Sequence, residues 1–200
     1  MPRLIRIVIP SAARDLLSPA GALKSWVALL LCVFVCTTCA AQPHRHVCDD
    51  DLVPDDVRAA VDQQFPGWHF ERLSELSDEY QQLWLKQHHD ECPGFAEGHY
   101  QSRSKTAWAM VLLRTKAANS GSKLVVFSET PGKGWQAKTL KEEGTSYYYE
   151  AVSRVPPGKY EGKKAGSVRL DLDSFQFDTF DVGATLYYWR TGKFQTFDLK

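Results

Sequence analysis

After Cys92-Pro93-Gly94 the chain is written in short apolar runs separated by polar, glycine-containing turns. That texture constrains the fold more than any other feature, because it is the signature of antiparallel strands joined in a meander. Strands are predicted at 98–101, 106–114, 123–129, 136–141, 147–154, 167–172, 174–180, 184–190 and 194–199. Val168, Leu170 and Leu172 alternate with Arg169 and Asp171, so that strand shows one face to water. Arg190-Thr191-Gly192-Lys193 is a hairpin turn between the last two strands. The longest connection, 155–166, carries Lys159 and Lys163 and reads as a surface loop and candidate binding edge.

Two helices precede this texture. Val53, Val57, Val61 and Phe65, with Ala60 beside them, form one apolar stripe over residues 52–65. Pro54 fits the first turn, Asp55 and Asp56 favour its positive end, and Pro66-Gly67 stops the helix. Residues 68–73 read as a strand. Ser77 can cap a second helix running from Asp78 to about Gln87, with Tyr80, Leu83, Trp84 and Gln87 as its inner face. The expected class is α+β: two short N-terminal helices packed on a mainly antiparallel β-sheet meander, closed by one disulfide.

The first 41 residues are set apart from this domain. Arg3, Arg6, Arg14 and Lys24 precede an apolar run of ten, 26–35, and small residues follow up to Ala41. This is the layout of a secretory signal, with cleavage expected after Ala41. Two other fates share the pattern. One is retention as an anchor, although 26–41 has 16 residues against the roughly 18–20 a span needs. The other is lipid attachment at Cys39, whose preceding Cys36, Thr37 and Thr38 fit a lipoprotein pattern poorly. The expected organisation is a leader at 1–41, a flexible mature N-terminus at 42–51 and a single domain at 52–200, with a periplasmic or secreted location. The whole chain has 24 basic and 24 acidic residues; losing the leader leaves 20 and 23, net −3. A mildly acidic domain argues against nucleic-acid binding.

Cys48 and Cys92 are the cysteines left after the leader, and in an oxidising compartment they are expected to pair. The bond would close a loop of about 45 residues, worth up to ~4 kcal/mol. Its flanks hold His44, His46, His88 and His89 together with five acids. These are donor types for zinc or copper, so a metal site on the four histidines stands as the alternative to a plain staple.

Enzyme signatures are missing from the sequence: no Gly-x-Ser-x-Gly elbow, no His-Glu-x-x-His and no phosphate loop. Asp171 and Asp173 lie two apart, and His69 and His99 are candidate bases without an evident partner. Tyr147, Tyr149, Tyr187 and Trp189 stand in aromatic clusters that would place rings on both sheet faces. With Lys159 and Lys163 they are the candidate binding surface.

Residues 53–73 (VPDDVRAAVDQQFPGWHFERL) resemble the opening unit of PepSY-like, or β-lactamase-inhibitor-like, domains. In these a Val-Pro start, an amphipathic helix and Phe-Pro-Gly lead into a strand. The resemblance implies an exported binding or inhibitory module and supplies no catalytic residues. Residues 92–109 are similar to the loop of FG-GAP-type repeats, but His99, Gln101 and Arg103 replace the acids that would bind calcium. The reading that follows is an exported non-catalytic binding protein, with an inhibitor- or immunity-like protein as its candidate form, whose partner is another exported protein. Its rival is a metal-dependent enzyme or metal-binding protein using the clusters at 44–51 and 88–92.

Overall fold

The computed structural model describes residues 47–48, 52–114, 121–144, 149–163 and 166–199. The segment 1–41 expected to be a leader, His44, His46 and Tyr147 lie outside them. Two helices and eleven strands are described: α1 (Asp55–Gln64), β1 (Trp68–Phe70), α2 (Asp78–His88), β2 (Phe95–Ser102), β3 (Lys105–Arg114), β4 (Ser122–Thr130), β5 (Gly134–Glu142), β6 (Glu150–Val155), β7 (Gly158–Glu161), β8 (Ser167–Leu170), β9 (Ser174–Thr179), β10 (Gly183–Arg190) and β11 (Lys193–Asp198).

The α+β class holds, but its finer form needs two corrections. The helices are internal to the chain, at 55–64 and 78–88, with β1 between them. The strands form not one meander but a five-stranded sheet, a four-stranded sheet and a two-stranded ribbon. In the first sheet β3, β4 and β5 follow one another, and β1 and β2 both pair with β3. In the second the order is β11-β10-β9-β6. All strand pairs are antiparallel.

The reason for two sheets is visible in β3. Ala107, Trp108, Ala109, Met110, Val111 and Leu112 are all buried, with no polar alternation. Such a strand must be covered on both faces. One face, with Trp108, Met110 and Leu112, packs with Val125 and Phe127 of β4 under Val57, Ala60 and Val61 of α1. The other, with Ala107, Ala109 and Val111, packs with Leu124 and Val126 against Val152, Phe175, Phe177 and Tyr187 of the second sheet. The predicted apolar stripe of α1 is therefore the seam that seats it. The outer face of the second sheet is covered in two pieces. Trp84 and Leu76 pack on Ala151, while β7 and β8 lay Val168 and Leu170 over Val155, Leu186 and Tyr188.

The 155–166 segment is thus not only a loop: 158–161 pairs with β8, Tyr160 opposite Val168. Ser77 caps α2 as expected, its hydroxyl accepting from the Tyr80 amide. The inner face of α2 is narrower than its spacing suggests. Trp84 is buried, but Leu83 remains 39% exposed. The predicted disulfide is formed between Cys48 and Cys92, with Cα atoms 4.9 Å apart. Among the described residues no helix is long and apolar enough to cross a membrane.

Candidate functional site

Two surface features gather chemistry. The first is an open groove of about 300 Å³ lined by His99, Arg103, Pro157, Asp171, Leu172 and Asp173. Three elements meet there: β2 and its turn into β3, the β6–β7 connection, and the bend between β8 and β9. Asp173 is buried, 5% exposed, at the head of β9. Its Oδ2 accepts from the His99 amide at 2.9 Å and lies 3.4 Å from the His99 ring Nδ1. Its Oδ1 accepts from Arg154 at 3.0 Å. Burial alone would raise this carboxyl, but the His99 amide and Arg154 outweigh it and hold Asp173 below the usual carboxylate range. The aspartate is therefore a charged anchor that fixes His99 and Arg154.

This pairing gives His99 the partner its sequence neighbourhood does not show, because 74 positions separate the two residues. Asp171 and Asp173 do come to one place, but in different roles. Asp171 is exposed on the rim, and Asp173 is buried beneath. Arg103 and Arg154, which nothing in the sequence singles out, complete the charge pattern. Their signal would have been a turn cation beside a buried acid, which is legible only once β2, β6 and β9 are adjacent.

The second feature is a half-exposed ring cluster. Tyr80 of α2 stacks on Phe180 at 4.5 Å and meets Tyr149 at 5.2 Å. The Phe180 amide donates to the Tyr149 carbonyl at 3.0 Å, so the β9–β10 turn is tied to the start of β6. Tyr149 is 37% exposed and Val182, in the same turn, 60%. The Tyr80 hydroxyl donates to Asp181, and this bond pushes the phenol up to about 12.

The remaining candidates are dispersed. Tyr187 is a core residue, 9% exposed and stacked on Phe175 at 5.3 Å. Trp189 packs edge-on with Phe194 at 5.0 Å, half-buried on β10. Lys159 and Lys163 are exposed on and beside β7. His88 stacks on Trp84 at 3.9 Å and lies 3.5 Å from Glu91, whereas His89 closes α2 with a left-handed φ of 50°. Among the described residues no group of three His, Cys, Asp or Glu side chains is placed to hold a metal. His69 is engaged by Glu75 at 2.7 Å. Of residues 92–109, where the calcium-loop likeness falls, Phe95–Ser102 form β2 and β3 begins at Lys105, with Arg103 in the turn between them.

Comparison with protein-family models, curated proteins and solved structures gives no match.

Proposed function

We propose that this chain is an exported, non-catalytic binding protein that docks on another exported protein through the ring cluster of Tyr80, Tyr149 and Phe180 with Val182. The observation that carries this reading is the solvent exposure of Tyr149 and Val182 beside the half-buried Tyr80 and Phe180 on a tied-down turn. Tyr149 and Val182 are 37% and 60% exposed although the interior is closed by four apolar clusters. A rigid aromatic group with one polar edge is what interface anchors use. Here the edge is the Tyr80–Asp181 bond, and Glu79 and Asp181 set acids beside Tyr80, which favours a partner with a basic rim around an apolar hollow. The helix, Pro-Gly turn and short strand at 55–70, with the PepSY-like likeness of residues 53–73, also support a binding module. The disulfide suits export.

The test is a photo-crosslinking side chain placed at Val182 in the cell that makes the protein, with Lys105 as the control position. One discrete adduct from 182, absent from 105 and lost when Tyr149→Asp is added, is the expected result. A chain that is exported and folded yet gives no adduct from 182 overturns the reading.

A further inference from the structure

The groove over Asp173 is distant in kind from the ring cluster. Its chemistry is set by which charges are already used. Asp173 is neutralised from within by Arg154 and by the His99 amide. His99 turns Nδ1 toward Asp173, and its side chain is still 48% exposed, so its Nε2 edge is the one left for a ligand. Arg103 and Asp171 are both exposed and have no hydrogen bond or ion pair among the described residues. The groove thus offers one free cation and one free anion, with the apolar Leu172 and Pro157 between its polar walls.

That pattern selects against singly charged ligands. Arg103 and Asp171 line the same groove, so an anion held on Arg103 shares it with a carboxylate and a cation held on Asp171 shares it with a guanidinium. A molecule carrying both a carboxylate and an ammonium satisfies the two together, the planar guanidinium taking the carboxylate in a forked pair. The size agrees: about 300 Å³ is at the lower end of small-molecule sites.

We propose that this groove binds a small zwitterion, a free amino acid or a dipeptide, with its carboxylate on Arg103 and its ammonium on Asp171 and on the His99 Nε2, which accepts because Nδ1–H faces Asp173. Asp173 and Arg154 are positioning residues: they hold His99 in place and need not touch the ligand. The proposal does not depend on the protein-docking reading, since it uses none of the same side chains.

The experiment is amide chemical-shift mapping on the disulfide-intact protein with a panel of the free amino acids and L-alanyl-L-alanine. At least one member is expected to give saturable shifts at residues 99, 103 and 171. Its N-acetyl and its amide derivatives, each keeping one charge, are expected to bind at least tenfold more weakly. Arg103→Ser and Asp171→Asn should each lose at least fivefold while the rest of the spectrum, which reports folding, stays in place. Lys105→Ser should change nothing. The proposal is overturned if no panel member gives saturable shifts at those amides. It is equally overturned if the acetylated form binds as well as the parent, which makes the groove an anion site. An amide that binds as well makes it a cation site, with the same consequence.

Discussion

Glu150 begins β6 and Arg154 lies near its end, on the same face and about 13 Å apart at strand rise. The acids around these two residues titrate in opposite directions. At the Glu150 end, Glu71 and Glu150 are each 2% exposed, and one carboxylate oxygen of each has no hydrogen-bond partner. Burial pushes Glu71 well above its ordinary value, and the neighbouring charges of Glu150 and Glu75 add to this. Burial likewise raises Glu150, against the Ser122 hydroxyl and Lys141 at 3.8 Å. At the Arg154 end, Asp173 is almost as buried, but its oxygens are occupied by donors and it is lowered. Burial alone does not decide whether an acid is charged; the donors brought to it do. The backbone differs in the same sense. The Glu150 end is shut, with the Cα of Gly94 so close to the Glu71 carbonyl that a Cβ there would stand 1.9 Å from its oxygen. The Arg154 end opens into the groove. A site that works on charge belongs at the end where charge is kept.

The sharpest way to break this contrast is to wedge the closed end. Gly94→Ala drives a methyl into the Glu71 carbonyl, with no flexible atom to give way. A loss of roughly 3 kcal/mol is expected in urea unfolding, at the upper end of what overpacking usually costs, because the atom met is backbone. A loss below about 1 kcal/mol would mean the closed end is softer than its geometry. Next in size is Asp173→Ala, which strips the donors at the open end of their acceptor. It should cost about 0.5–1.5 kcal/mol at neutral pH, the net worth of hydrogen bonds whose donors, on the exposed His99 and Arg154, water can reach. The groove's His99 amide should shift with it.

The two ends also separate by pH. A folded state that raises an acid binds its proton first, so stability falls as pH rises above the ordinary carboxylate value of 4.5. Glu71 and Glu150 therefore make the protein more stable as neutral solution is acidified toward that value. Asp173, lowered in the fold, contributes stability present above its ordinary 3.8 and lost as pH falls below it. The expected profile rises on mild acidification and collapses below. Glu71→Gln should raise stability at pH 7 and flatten the rising arm, leaving the acid collapse to Asp173. Thermal melts between pH 3 and 8 read both arms. An unchanged rising arm in the variant would remove Glu71 from the account.

Much of this molecule was legible in local pattern. The stripe of Val53, Val57 and Val61 marks α1 because helix period and burial agree, and Ser77 with Asp78 and Glu79 marks the start of α2. The Cys48–Cys92 bond is the pairing expected of the two cysteines after residue 41. What pattern cannot carry is which surface a buried face meets. The alternation that places Phe175 and Phe177 inward is the same whether the sheet is single or stacked on another. β7 escaped because Gly158, Lys159 and Glu161 lack strand formers, and it is held by pairing with β8 and by Tyr160 on the core. The groove escaped for a related reason. His99, Arg154 and Asp173 are unremarkable singly, and their meaning is in their meeting.

The smallest expected change in stability comes at the ring cluster, and it tests the contrast from outside. Val182 is 60% exposed in a turn whose backbone is fixed by the Thr179 carbonyl, which accepts from its amide at 3.0 Å. Replacing it with serine removes apolar surface that the fold itself does not bury. The hydrophobic return on folding is therefore nearly nil, and Val182→Ser should stay within about 0.5 kcal/mol of the parent in urea unfolding. That outcome leaves Val182 free to serve the docking face without a role in the fold. If serine instead costs 1 kcal/mol or more, Val182 is anchoring the β9–β10 turn for the domain's own sake, and the exposed cluster becomes part of the scaffold rather than a docking face.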